Sequence, residues 1–319
     1  MKKIQKIIPK SLQIGDKVAL IAPAGAIYEK ESLDIATENL KALGLEVVMG
    51  QNARNKNGYL AGTDAERVAD LHAAFADTSV KAVMALRGGW GCGRLLPLID
   101  WELLSKNPKV FAGFSDVTTL LNAIYAKTGL VTYHSPMATS VWNNFSVEYF
   151  KKILFDKEQA TLSNPQQKGD SLVQLQDRIT TIRGGEAVGE LIGGNLTVFC
   201  SLLGSQYLPD FEGKILFLEE INEEIYRVDR LFCQLALSGV LEKVAGVVIG
   251  KFTNCGHGDR FSSLTLLEVF ENYLLPLQIP VFVGSMIGHI PNKFTIPVGL
   301  QTKICANKGT ITFLESPCA

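Results

Sequence analysis

Short apolar runs alternating with helix-length amphipathic segments constrain the first half of this chain more than any other feature. Residues 17–22 (KVALIA) end in Pro23-Ala24-Gly25. Residues 29–43 then place apolar side chains at helical spacing, with Gly44 where a C-terminal cap belongs. Residues 45–49, 80–86 and 110–114 read as further strands. Helices are predicted over 63–76, 94–104 and 116–127. Strands this apolar cannot leave a face in water, so helices must cover both sides of a mostly parallel sheet. The expected fold is α/β, beginning with a doubly wound, mostly parallel sheet domain over residues 1–142.

From residue 143 to 185 the periodicity fades, and the polar stretch 164–170 suits a linker. Order returns with a strand over 187–192, a helix over 195–203 and a strand over 214–218. A helix over 224–237 and a buried strand over 244–250 follow. Two β-like runs then flank Asn307-Lys308-Gly309, a hairpin signal. Residues 186–319 are therefore expected to form a C-terminal, β-rich mixed α/β domain.

Composition removes several function classes. Thirty-one Lys and Arg balance 32 Asp and Glu, a formal charge of -1, so no broad basic footprint for nucleic acid exists. The most apolar stretch, 244–250, is far short of the roughly 20 residues that span a bilayer. Lys2 and Lys3 suggest a leader, but Lys6, Pro9 and Lys10 interrupt its apolar core. The six cysteines form no C-x-x-C pair, so a zinc ribbon or redox motif is not expected, and reduced cytoplasmic thiols are.

In open α/β sheets, ligands bind beyond the carboxyl ends of the strands, which singles out three turns. The first is Pro23-Ala24-Gly25. The second, Arg87-Gly88-Gly89-Trp90-Gly91-Cys92-Gly93, carries four glycines whose exposed amides suit a phosphate or an oxyanion. Its spacing matches neither dinucleotide nor P-loop patterns. The third is Gly113-Phe114-Ser115-Asp116-Val117-Thr118, where a strand ends, a serine follows and a helix begins. That arrangement lifts a nucleophile above a sheet edge and offers it helix-terminal amides. The plain alternative is an N-cap serine, and Cys92 is a rival nucleophile.

A serine nucleophile needs a base and an orienting carboxylate. Of the four histidines, His72 falls mid-helix, His134 follows a strand-like run near Ser115, and His257 sits in a Gly-flanked loop as half of a C-x-H pair. His289 lies between Gly288 and Pro291, a credible seat for a positioned base. Glu219 stands directly after the apolar run at 214–218, while Glu223 and Arg227 have the spacing of a solvated helix pair.

These segments together resemble the LD-carboxypeptidase family over nearly the whole chain. The resemblance is carried by Ala22-Pro23-Ala24-Gly25, Arg87-Gly88-Gly89-Trp90-Gly91, Gly113-Phe114-Ser115-Asp116, His134-Ser135-Pro136-Met137, Gly193-Gly194-Asn195-Leu196, Leu218-Glu219-Glu220 and Gly288-His289. It implies a cytoplasmic serine peptidase without metal or other cofactor. Its triad would be Ser115 as nucleophile, Glu219 as orienting carboxylate and His289 as base. The backbone N–H groups of Gly89 and Asp116 would form the oxyanion hole, with Trp90 and Ser135 as candidate substrate contacts. The implied partner is a small muropeptide that loses its terminal D-alanine, and the family often forms homodimers. Glu220 departs from the Asp usual at its position, and Ser135 from a common Gly. Some family members instead hydrolyse acyl-adenylate peptide antibiotics such as microcin C. A non-catalytic α/β protein that holds an anion in its glycine turn is the reading from another class.

Overall fold

The computed structural model describes residues 5–258 and 262–319; Lys2 and Lys3 lie outside them. The first sheet is built from β1 (Lys17–Ile21), β2 (Glu46–Met49), β3 (Val80–Ala85), β4 (Val110–Gly113) and β5 (Thr132–His134). They stand in the order β2-β1-β3-β4-β5, every neighbour parallel. Helices α1 (Lys30–Ala42), α2 (Asp64–Ala76), α3 (Trp101–Lys106) and α4 (Thr118–Thr128) connect them. Helix α2 starts at the expected place because Thr63 and Glu66 form a reciprocal capping box.

The helix expected over 94–104 is broken in two. Pro97, which has no N–H to donate, falls in a 3₁₀ stretch over Cys92–Leu98. Asp100 then restarts the chain as α3 by accepting the Leu103 amide.

Segment 143–185 is not the plain linker its polarity suggests. It contributes α5 (Asn144–Leu154), β6 (Thr161–Leu162) and β7 (Thr180–Arg183). The strands that follow are β8 (Glu186–Asn195), β9 (Ile215–Ile221), β10 (Gly246–Thr253), β11 (Val281–Val283), β12 (Ile296–Val298), β13 (Gln301–Cys305) and β14 (Thr310–Phe313). Helices α6 (Leu196–Ser201), α7 (Ile225–Leu237) and α8 (Leu266–Leu274) lie among them. The second sheet runs β6-β14-β13-β8-β9-β10-β11-β7, with β8 to β11 parallel and β6 and β7 as its edges. Strands β13 and β14 form the expected hairpin.

Strand β12 leaves this sheet and joins the first, pairing antiparallel with β5. The loop between β11 and β12 is therefore anchored in one sheet at its start and in the other at its end. Buried side chains of both sheets run together into one core. Among the described residues no helix is long and apolar enough to cross a membrane.

Candidate active site

The carboxyl ends of β1, β3, β4 and β9 and the β11–β12 loop enclose a cavity of about 1040 Å³. Its lining includes Arg87, Gly88, Gly89, Trp90, Ser115, Asp116, Glu220, His289 and Lys293. Parallel strands with helices behind them leave their loops at this end, which is why both halves of the chain converge here.

Ser115 directly follows the residue after β4 and holds φ at +64° in a short 3₁₀ turn, Ser115–Val117. For a residue with a Cβ this left-handed conformation costs on the order of 1–3 kcal/mol. The serine does not cap α4, since that helix has no side-chain cap. Gly88 comes so close that a Cβ there would stand 2.8 Å from Ser115 Oγ and 3.5 Å from the Asp116 amide nitrogen. Gly89 holds φ at +119° with its Cα packed against Gly25. The glycine turn is thus a close-approach device beside the serine.

Glu219 was expected just beyond a strand, but β9 continues to Ile221 and the glutamate lies inside it, opposite Asn195 of β8. It is fully buried, and Oε2 lies 2.7 Å from His289 Nδ1. An ionised carboxylate can only accept in such a contact, which would put the imidazole proton on Nδ1 and leave Nε2 to take one. Oε1 accepts no hydrogen bond among the described residues. Side chains alternate along a strand, so the adjacent Glu220 faces the other way. Its carboxylate accepts from Asn195 Nδ2 (2.8 Å), the Ile221 amide (2.8 Å), the Thr197 amide (2.8 Å) and Thr197 Oγ1 (2.6 Å). Burial raises its titration, and these four donors oppose the rise.

The other candidates separate clearly. Asp116 is buried and accepts the Cys92 amide at 2.8 Å; burial raises its carboxyl above the usual range. Cys92 is fully buried, and desolvation holds its thiol well above ordinary cysteine, so it stays protonated and is no rival nucleophile. Trp90 is 62% exposed at the cavity rim, edge-on to Tyr59. Ser135 does not line the cavity: it is buried, and Oγ donates to the Pro136 carbonyl.

His134 is also buried, between the Phe114 and Phe217 rings, and neither ring nitrogen has a hydrogen-bond partner among the described residues. Burial pushes it down to about 4, which keeps it neutral. His72 Nε2 accepts the Asp100 amide, a structural contact. His257 is exposed, and the described residues hold no cluster of three metal-ligating side chains. Glu223 and Arg227 form the expected pair at 3.7 Å.

Two features have no signal in the sequence pattern. The Phe114 ring packs 4.8 Å from the His289 imidazole, fixing it from one side. The loop after His289 is clamped by the start of α5: Ser146 Oγ donates to the Pro291 carbonyl, and Asn143 Nδ2 donates to Asn292 Oδ1. Phe145 and Tyr149 of that helix pack on Phe294, so these aromatics serve the interior.

Comparison with known proteins agrees with this architecture. Residues 18–135 match the LD-carboxypeptidase N-terminal domain and residues 188–304 the LD-carboxypeptidase C-terminal domain. The chain is 40% identical over 297 residues to a Bacillus subtilis (strain 168) protein named "Probable murein peptide carboxypeptidase", covering 92% of this chain and 90% of that one. Among solved structures it is similar to the microcin C7 self-immunity protein MccF in complex with aspartyl sulfamoyl adenosine. That match has a TM-score of 0.89 and 27% identity, covering 98% of this chain and all (100%) of that one. A muramoyltetrapeptide carboxypeptidase from Oxalobacter formigenes gives a TM-score of 0.76 at 29% identity, covering 92% of this chain and 97% of that one.

Proposed function

Because this chain belongs to the LD-carboxypeptidase family, we propose that Ser115, His289 and Glu219 are its catalytic triad. The substrate in this reading is the cytoplasmic murein tetrapeptide L-Ala-D-Glu-meso-diaminopimelate-D-Ala, which loses its terminal D-alanine in cell-wall recycling. Residues 1–142 supply the nucleophile, and residues 186–319 the carboxylate and the base. The observation that carries the reading is the 2.7 Å contact between His289 and a fully buried carboxylate, in the cavity that the strained Ser115 also lines.

His289 Nε2 takes the Ser115 proton as the oxygen attacks the carbonyl before the terminal residue. Glu219 stabilises the imidazolium that forms, which in a buried setting counts for more than in water. The Gly89 and Asp116 amides hold the oxyanion; losing one such donor typically costs about 10²–10³ in rate. His289 then protonates the leaving amine, and water releases the acyl group.

The crowding at Gly88 makes a sharp test of this geometry. Gly88→Ala would place a methyl 2.7 Å from Ser115 Cβ and must displace the nucleophile. D-alanine release is expected to fall at least about 10²-fold, since misplacement by an ångström has that effect. An unchanged kcat/KM would mean that Ser115 does no chemistry.

A second reading, hydrolysis of an acyl-adenylate peptide, is favoured by the likeness to MccF. The two are separated by incubating the protein with the tetrapeptide and with an aminoacyl-adenylate analogue and following each product chromatographically. The murein reading expects D-alanine from the first and little turnover of the second; the reverse pattern would overturn it.

A further inference from the structure

Lys293 lies four residues after His289 and lines the same cavity, although the residue is only 5% exposed. Its main chain is held in place, with the amide N–H donated to Ser146 Oγ at 3.1 Å. The ammonium stands 4.3 Å from the centroid of the Phe114 ring. That ring also packs against His289. Cation and imidazole therefore share one aromatic platform, on the residue that precedes Ser115.

Among the described residues, Lys293 Nζ has no ion pair and no hydrogen bond; its contact is the Phe114 face. Burial lowers its titration to about 8, while the more distant Glu219 carboxylate pulls it back up. A value of about 8 leaves the charged form the major one at neutral pH. A desolvated ammonium without a direct ion pair is costly to bury, and part of the cost is recovered when an anion enters. Arg87, another cation of the lining, donates Nη1 to the Ala26 carbonyl.

We propose that Lys293 binds the free α-carboxylate of the substrate's terminal residue. The inference rests on the carboxypeptidase reading above and names the group that would restrict cleavage to the chain end. In such a substrate the leaving nitrogen and the carboxylate sit on the same Cα. The group that binds the carboxylate must then lie within one residue's reach of the nucleophile, as the shared Phe114 platform places it. An internal peptide bond or an amidated terminus would leave the ammonium buried and unpaired.

The test compares wild type and Lys293→Met on the murein tetrapeptide and on its C-terminal carboxamide. Wild type should prefer the acid by roughly 10²-fold in kcat/KM, as expected for a buried charge pair. In Lys293→Met the preference should collapse to within about threefold, through a raised KM for the acid. Retained acid preference would overturn the assignment. So would an equal loss on both substrates, which would place the lysine's role on Glu219. Should the Met variant not fold, Lys293→Gln carries the same comparison. Wild type that releases nothing from the acid overturns the carboxypeptidase reading itself. Wild type that releases D-alanine while the variant keeps its preference overturns Lys293 alone.

Discussion

Replacing Ser115 with alanine is expected to lower D-alanine release by roughly 10⁴–10⁶-fold, the range seen when a triad nucleophile is lost. The substitution removes one oxygen and little else. Alanine keeps a Cβ, so the strain at φ +64° and the fit against Gly88 are unchanged. No helix cap is lost, because α4 takes no side-chain cap. The variant should therefore melt like wild type and still bind the tetrapeptide, so kcat falls while the affinity for uncleaved peptide persists. A fluorophosphonate probe should label wild type at Ser115 and leave the variant unlabelled. Full activity in Ser115→Ala would remove the triad assignment at once. Binding that persists alongside an unreactive wild-type serine would instead favour a non-catalytic ligand-binding protein.

Glu219→Gln should reduce kcat by roughly 10⁴-fold, with a much smaller change in KM. Glutamine has nearly the same shape, so the packing of this fully buried position inside β9 can persist. What changes is the proton at His289. Glutamate only accepts, which holds the imidazole proton on Nδ1 at the 2.7 Å contact. An amide can present its NH₂ instead, favouring the tautomer with the proton on Nε2, where it blocks abstraction from serine. The imidazolium would also lose its buried counter-charge. Steady-state kinetics with a circular dichroism check on folding decides the matter: a folded variant that loses less than tenfold would show that Glu219 orients nothing essential.

Much of this molecule is legible from local pattern. The parallel strands of the first sheet and helices α1, α2 and α4 follow from apolar periodicity and from caps such as Thr63, because those signals act within a turn or two of the chain. The turn at Ser115 is legible for the same reason: strand end, serine and helix onset are adjacent in sequence. Local pattern fails where partners are distant. The polarity of 143–185 hides α5 and two edge strands, since an edge strand needs only one apolar neighbour and can be two residues long. Lys293 follows Pro291-Asn292, and no local pattern marks it as buried. It is buried because Phe114 and the start of α5 pack around it from other parts of the chain.

Composition and periodicity are sufficient for a neutral α/β chain with a serine in the turn that ends an apolar strand. They favour Glu219 over the adjacent Glu220 by its place directly after an apolar run, but they do not settle the choice of a histidine 70 residues downstream as its partner. That choice depends on which face of β9 each side chain occupies, and on β12 crossing to the first sheet, which draws the β11–β12 loop over the cavity. Strand order of this kind is settled by which apolar faces bury one another across the whole chain, and no short window of residues contains that information.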